Sequence, residues 1–272
     1  MNLNLLCQDV RILAKQVGQF LLQESKGFDV SRIEQKGLND LVSYVDKEAE
    51  KQIVERLSVL LPHSGCIAEE GTGSENPTGY NWIIDPLDGT TNFIHGIPHY
   101  AVSIALQNEQ KELVLGIVYE PNRDECFHAV LGGKAFLNDT EIRVSQAQEL
   151  SRGLLATGFP YTDFGQMQEY LQSLQELMQK CHGLRRIGSA ALDLAYVACG
   201  RFEGFFEYNL RPWDVAAGVL IVRQAGGIAT TFRGTDDCVF GKQILAASQV
   251  HPEILEIVQK HFSADLATHG NG

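Results

Sequence analysis

Residues 82 to 93 read WIIDPLDGTTNF, an apolar run that stops at once in two aspartates flanking Pro86 and Leu87. Asp85 and Asp88 stand three apart across a proline at the end of what reads as a strand, where the chain must bend and both carboxylates can face one point. Hard cations such as magnesium take oxygen ligands of this kind, a few carboxylates completed by water. Asp-Pro and Asp-Gly are also common turn pairs, so the tetrapeptide by itself reads equally as an Asx-capped β-turn. The next residues, Gly89-Thr90-Thr91-Asn92, tilt the balance. A glycine and hydroxyls at the start of a short helix offer backbone N–H groups to an anion, and a plain turn has no use for that addition.

Other acids can join this pair. Glu69 and Glu70 end the run CIAEE and come beside YNWIID if the two strands pair. Without that pairing they are a solvated acidic pair before a glycine loop. Asp214 in RPWDVAAG is either a further ligand or the N-cap of the helix that continues through Ala225. Asp46 reads on its own as an acid at a helix N-terminus, favourable to the macrodipole. His95 and His99 have the spacing of a zinc pair, but Gly96 and Pro98 between them break a regular helix. GTGSENPTG lacks the Gly-Lys-Ser/Thr ending of a nucleotide loop and reads as a surface turn.

Positioning these residues requires an ordered scaffold. Leu3, Leu6, Val10, Leu13, Val17 and Phe20 recur at helical steps, with Gly27 as a stop. Ile53, Val54, Leu57, Leu60 and Leu61 mark a second helix ending at Pro62, and RIEQKGLNDLVSYVD reads as a polar connection leading to it. From Cys66 the runs CIA, YNWII, YAVSIALQ, ELVLGIVY, ECFHAV and AFL predict one largely antiparallel sheet. Helices over 166–181 and 188–199, a strand at FEGFFEY, a helix over 213–225, a strand over 243–247 and a helix over 252–262 follow. That order predicts an α+β or layered α/β architecture. It is read as one domain over residues 1–272, with a soft seam near 145–155 between an α+β half and an α/β half.

Composition narrows the function. The 272 residues are 44% hydrophobic and 21% charged, ordinary for a globular chain able to bury a large core. No apolar run reaches the ~18 to 20 residues of a membrane helix, and MNLNLLCQDVR lacks the basic start of a signal peptide, so a cytoplasmic location is expected. Acids outnumber bases 34 to 22, a formal charge of -12 that repels nucleic-acid phosphates and anionic membranes. A small phosphate ester would need bound cations to approach. The six cysteines are scattered without a Cys-x-x-Cys pair and suggest neither a zinc knuckle nor a disulfide framework.

Three separated segments carry a resemblance. GCIAEEGTG resembles the glutamate box of the inositol monophosphatase family, WIIDPLDGTTNF its Asp-Pro-x-Asp-Gly-Thr signature, and RPWDVAAGVLIVRQAGG its second Trp-Asp box, in the family's order. KGLNDLVSYVD is similar to the family's Lys-x-x-x-Asp-Leu-Val-Thr segment, with Ser43 in place of threonine. The resemblance spans nearly the whole chain. It implies an αβαβα sandwich of the sugar-phosphatase type, and lithium-sensitive, magnesium-dependent hydrolysis of a phosphomonoester by a homodimer.

Carried over by position, the resemblance makes Glu69, Asp85, Asp88 and Asp214 metal-binding carboxylates and the Leu87 carbonyl a further ligand. Nothing local chooses Glu69 over Glu70. Asp46 and Thr90 would orient the attacking water, with Glu69 counted beside them in catalysis. One cation would acidify that water and another would stabilise the leaving alkoxide. The N–H groups of Gly89 and Thr90 would hold phosphate oxygens. Glu207 would bind ring hydroxyls, Asp214 would also touch substrate, and Gly188, Ser189 and Ala190 would line the alcohol pocket. Lys36 and Asp40 would belong to a loop that closes over the metals. Arg211 reads either as a contact for a second anionic group or as a surface arginine, and Arg185 and Arg186 as support for a subunit interface.

The expected substrate is inositol monophosphate, a small phosphorylated polyol. Fructose 1,6-bisphosphate, histidinol phosphate and 3'-phosphoadenosine 5'-phosphate are the rivals within the same chemistry. A non-catalytic regulatory or binding protein on the same fold is the rival from another class.

Overall fold

The structure is a computed structural model that describes residues 1–28, 33–37, 40–161 and 163–262, with only the backbone described over 33–37 and 40–42. Helix α1 (Leu3–Ser25) starts where the Asn2 side chain accepts the Leu5 N–H at 3.2 Å. It buries the stripe Leu6, Val10, Leu13, Val17 and Leu21. Helix α2 (Tyr44–Leu60) opens on a capping box, in which the buried Ser43 and Asp46 satisfy each other's polar groups. The polar connection before α2 proves to be structured: β1 (Ile33–Gly37) and β2 (Asp40–Ser43) pair as an antiparallel hairpin. Its polar, glycine-bearing sequence carries no apolar alternation to reveal it.

The runs from Cys66 onward form a seven-stranded sheet, β3 (Gly65–Ala68), β4 (Asn81–Asp88), β5 (Ala101–Gln107), β6 (Leu113–Glu120), β7 (Glu125–Val130), β8 (Ala135–Leu137) and β9 (Thr140–Ile142), in that spatial order. Only β3 and β4 run parallel, because the loop over 69–80 carries the chain back to the starting edge. A short helix, α3 (Thr90–Ile94), leaves the end of β4. After Ile142 the chain passes to a second sheet of five strands. These are β10 (Leu154–Thr157), β11 (Gly183–Arg185), β12 (Gly204–Tyr208), β13 (Ile228–Thr230) and β14 (Gln243–Ala247), ordered β11-β10-β12-β14-β13. Strands β10, β11 and β13 have three or four residues each, too short to announce themselves by alternation.

Helices α4 (Met167–Lys180), α5 (Ala190–Ala198), α6 (Pro212–Gln224) and α7 (His251–His261) complete the chain. Every residue of α5 is buried, as is Val215 to Val222 of α6. A helix apolar all round must lie between two apolar surfaces. Here those surfaces are the two sheets, and one core joins Ile83, Val118 and Phe127 of the first to Phe205 and Ile244 of the second through Leu194 and Val219. α1 and α2 cover the outer face of the first sheet, and α4 and α7 that of the second. The layers therefore run α, β, α, β, α. Phe205 is wholly buried in the central core, and truncating it to alanine would cost about 3–5 kcal/mol. Among the described residues no helix is long and apolar enough to cross a membrane.

Candidate active site

The ends of β4, β10 and β12 and the first turns of α3, α5 and α6 enclose one cavity of about 200 Å³. How β4 delivers two aspartates to it follows from register. Asp85 pairs with Ser103 and Asp88 with Ala101, so three steps on β4 match two on β5, a bulge at Pro86-Leu87. In a regular strand residues three apart face opposite sides. The extra residue makes three count as two and turns both carboxylates to the same side. The turn alternative is also present, for Asp85 Oδ1 accepts the Leu87 N–H at 2.9 Å.

Glu69 follows directly on β3, and its N–H donates to the Ile84 carbonyl at 3.3 Å, so it stands beside Asp85. The structure separates the two glutamates: Glu69 lines the cavity and Glu70 does not. Glu50 of α2, fully buried, fixes this turn by accepting the Glu70 N–H at 2.7 Å and the Thr72 N–H at 2.8 Å. Asp214 is the third residue of α6 rather than its N-cap, since Pro212 begins the helix. Its Oδ2 accepts the Arg211 N–H at 2.6 Å. Asp88 Oδ2 accepts the Ser189 hydroxyl at 2.6 Å and the Ala191 N–H at 2.7 Å, which fastens β4 to the start of α5. The Ser189 hydroxyl is thus committed to Asp88, while Gly188, Ser189 and Ala190 all line the cavity.

The Thr90 hydroxyl lies within hydrogen-bond distance of Asp46 Oδ1 at 2.9 Å and of the Leu87 carbonyl at 3.0 Å. Asp46 Oδ2 takes the Ser43 N–H and hydroxyl at 2.8 and 2.6 Å. Gly89, with φ at +99°, is required on two counts. The left-handed backbone disfavours a side chain, and a Cβ would meet the His99 and Gly188 carbonyls at 3.1 and 3.2 Å. Asn92 ties the two loops together by donating to the His99 and Ile187 carbonyls at 2.8 and 2.9 Å. At the far wall Glu207 of β12 is 6% exposed and packs so closely on Gly158 that a Cβ there would fall 1.9 Å from its Oε2.

The electrostatics are one-sided. Six acids line the cavity, Glu69, Asp85, Asp88, Asp193, Glu207 and Asp214, against one base, Arg186. Burial, then Glu69, Asp88 and Asp214, raise Asp85 well above the usual carboxylate range. Burial pushes Asp88 up to about 6 against the pull of its donors, and burial with Asp88 takes Asp214 to about 7. Burial raises Asp46 despite its bonds to Ser43 and Thr90. Among the described residues no three His, Cys, Asp or Glu side chains close into a ready-made metal cage. The donor set is nevertheless all oxygen, acidic and mutually repelling. It fits hard cations that take one or two carboxylates each and keep several waters.

Other sequence candidates fall elsewhere. Lys36 and Asp40 lie on the β1–β2 hairpin, and their side chains are outside the described residues. Arg211 is exposed and does not line the cavity, whereas Arg186 does, stacked over Phe159 and Tyr161 at 5.5 and 5.1 Å. His95 caps the end of α3, and His99 is buried against Tyr196.

A family model described as the inositol monophosphatase family matches residues 3–263. The chain belongs to that family. It is 45% identical over 250 residues, 91% of this chain and 95% of the other, to a protein of Neisseria meningitidis serogroup B named putative Nus factor SuhB. It is 44% identical over 227 residues, 83% and 85% of the two chains, to the inositol-1-monophosphatase of Rhizobium meliloti. The solved IMPase of Thermotoga maritima superposes with a TM-score of 0.86 at 32% identity, covering 94% of this chain and 98% of that one.

Within this family frame, sequence reading left Glu50, Asn92 and Asp193 without a role. Glu50 had a readable signal: Asp46, Glu50, Ile53 and Leu57 step by four, three and four, so both acids lie in phase with the buried stripe of α2. Asp193 is the one charged residue in the apolar run AALDLAYVA. Asn92 had none, because one of its carbonyl partners, Ile187, comes from backbone 95 residues along the chain.

Proposed function

We propose that the chain is a magnesium-dependent phosphomonoesterase that hydrolyses inositol monophosphate to inositol and phosphate. The observation that carries this reading is the meeting of the β4 aspartates, Glu69 and Asp214 on one cavity beside the hydrogen-bonded Thr90 and Asp46. Glu69, Asp85, Asp88, Asp214 and the Leu87 carbonyl would hold the cations. Magnesium there supplies acidified water near neutral pH and charge neutralisation for phosphoryl transfer. The Thr90 hydroxyl donates its hydrogen bond to the Asp46 carboxylate or the Leu87 carbonyl, which leaves its lone pairs to accept from the attacking water and fix its direction. The first-turn N–H groups at Gly89 and Thr90 have no intrahelical acceptor and face the phosphate oxygens. Glu207, beside Gly188 and Ala190, accepts hydroxyls of the leaving alcohol. Asp214 borders both ends, and Lys36 and Asp40 close over the metals. A cytoplasmic homodimer belongs to the same reading.

Phosphate release with magnesium from inositol 1-phosphate, fructose 1,6-bisphosphate, histidinol phosphate and 3'-phosphoadenosine 5'-phosphate, ranked by kcat/KM, tests the proposal. Inositol 1-phosphate should lead. Another leader removes the substrate assignment, and silence on all four removes the enzyme. The relatives named Nus factor favour a second reading, a partner-binding role on the same fold. That role would survive loss of the cavity carboxylates, whereas phosphate release would not. A formal charge of -12 argues that such a partner is met through protein rather than nucleic-acid contacts.

A further inference from the structure

Two buried acids of α2 face the site from behind. Asp46 and Glu50 stand four residues apart on one helix face and are 1% and 0% exposed. Asp46 Oδ1 meets the Thr90 hydroxyl at 2.9 Å, whereas Glu50 reaches the turn that follows β3. Glu50 does not line the cavity. Both of its oxygens are engaged, Oε2 accepting the Glu70 N–H at 2.7 Å and Oε1 the Thr72 N–H at 2.8 Å. Two further bonds of the turn, from the Glu69 N–H to the Ile84 carbonyl and from the Gly71 N–H to the Ala68 carbonyl, are longer, at 3.3 Å each. A buried carboxylate is a costly acceptor, and the segment beyond the turn does not account for the cost. Gly71 to Glu75 are all exposed and contribute nothing to the three hydrophobic cores. What the turn does place is Glu69, which lines the cavity beside Asp85. The Glu69 charge bears on Asp85, so the two carboxylates push apart when no cation lies between them. β3 ends at Ala68, and an anchor behind the turn opposes that displacement.

We infer that Glu50 is a positioning residue for the cation ligands: by gripping the Glu70 and Thr72 N–H groups it holds Glu69 beside Asp85, ready to take up a cation. The inference rests on the phosphomonoesterase reading, whose cations it concerns. With Asp46 one turn away, α2 then fixes the spacing between the cation ligand Glu69 and the Thr90 hydroxyl from a single rigid element.

The test is magnesium binding to the folded full chain by titration calorimetry, beside urea unfolding without magnesium. Glu50→Gln keeps the size and one acceptor oxygen and turns an amide NH₂ toward one of the two N–H groups. Its Kd for magnesium should rise roughly 10- to 100-fold, the usual effect of removing a group that orients a metal ligand. Ile53→Val removes one buried methyl from the same helix and lowers the urea midpoint without touching the turn, so its Kd should stay at the parent's value. An unchanged Kd in Glu50→Gln overturns the inference and leaves Glu50 a purely structural group. An equal loss in Ile53→Val overturns it as well, because general loosening of α2 then explains the effect. If Glu50→Gln does not fold, Glu50→Asp, which keeps the charge and draws both oxygens back by one methylene, decides by the same measurement. A parent that binds no magnesium refutes the phosphomonoesterase reading and the role of Glu50 with it. A parent that binds magnesium, with a Glu50 variant that binds it equally well, refutes the role alone.

Discussion

Asp85→Asn separates a cation site from a turn. Asp85 is 2% exposed, and among the described residues its side chain makes one hydrogen bond, accepting the Leu87 N–H at Oδ1 over 2.9 Å. Asparagine keeps the size and that acceptor, so the turn should survive. The substitution removes a charge that burial, Glu69, Asp88 and Asp214 all make unfavourable in the metal-free protein. The metal-free variant should therefore unfold at the same temperature as the parent or higher. With magnesium at a hundred times its Kd the parent should gain about 2.7 kcal/mol. For a chain of this size each kcal/mol moves Tm by about 2–4 °C, so the expected rise is roughly 5–10 °C. The variant should lose most of that rise, and phosphate release should fall by roughly 10²–10⁴-fold, the several kcal/mol a cation contributes to charge stabilisation. Thermal unfolding with and without magnesium, alongside a phosphate assay, reads both quantities. A variant less stable than the parent without metal, or one that keeps the magnesium-dependent rise, refutes the reasoning.

Gly158→Ala places a Cβ 1.9 Å from Glu207 Oε2 and must displace that carboxylate, at about 1–3 kcal/mol if the wall cannot give. kcat/KM for inositol 1-phosphate should fall about tenfold, and an unchanged value would remove Glu207 from hydroxyl binding. Glu50→Gln leaves an amide NH₂ facing one of the N–H groups of Glu70 or Thr72, a loss of about 1–3 kcal/mol readable as a lower urea midpoint. His99 is held near 4 by burial and then by the Arg123 charge, so between pH ~6.5 and ~4 the unfolded chain binds the proton that the folded protein refuses. Stability should fall as pH drops through that window, by at most about 1.4 kcal/mol per pH unit from this group. His99→Phe should flatten the slope, and an identical pH profile for the variant would assign the loss to other groups.

The long amphipathic elements were legible because burial leaves a period in the sequence. The α1 stripe, the first six strands of the first sheet and the strand Gln243–Ala247 lie where the pattern places them, while the three-residue β9 at that sheet's edge escaped it. Strands of three or four residues in the second sheet carry too few alternations to register. The cavity acids were legible as residue types but not as a set. That Glu69 and not Glu70 enters the cavity depends on where β3 stops and on Glu50 holding the next turn from another helix. The facing of Asp85 and Asp88 depends on a bulge measured against β5, which no local spacing contains.

The plain and the chemical readings of these acids also turn out to be compatible. Asp85 caps its own turn, Asp46 closes the box at the start of α2, and Asp214 does the same at the start of α6. Asp88 receives the first turn of α5. A carboxylate has about four acceptor positions, and each of these bonds occupies only part of them. The fold uses one side of each acid to fix its direction and leaves capacity for a cation or a water. That is why every local explanation was sufficient at its own position, and why no single residue could decide the function. It also sets how the site must be dissected. Alanine removes the oxygen the fold relies on together with the charge, so lost activity and lost structure arrive together. Asparagine keeps the structural oxygen and removes the charge that a cation needs, so the same position answers the two questions separately.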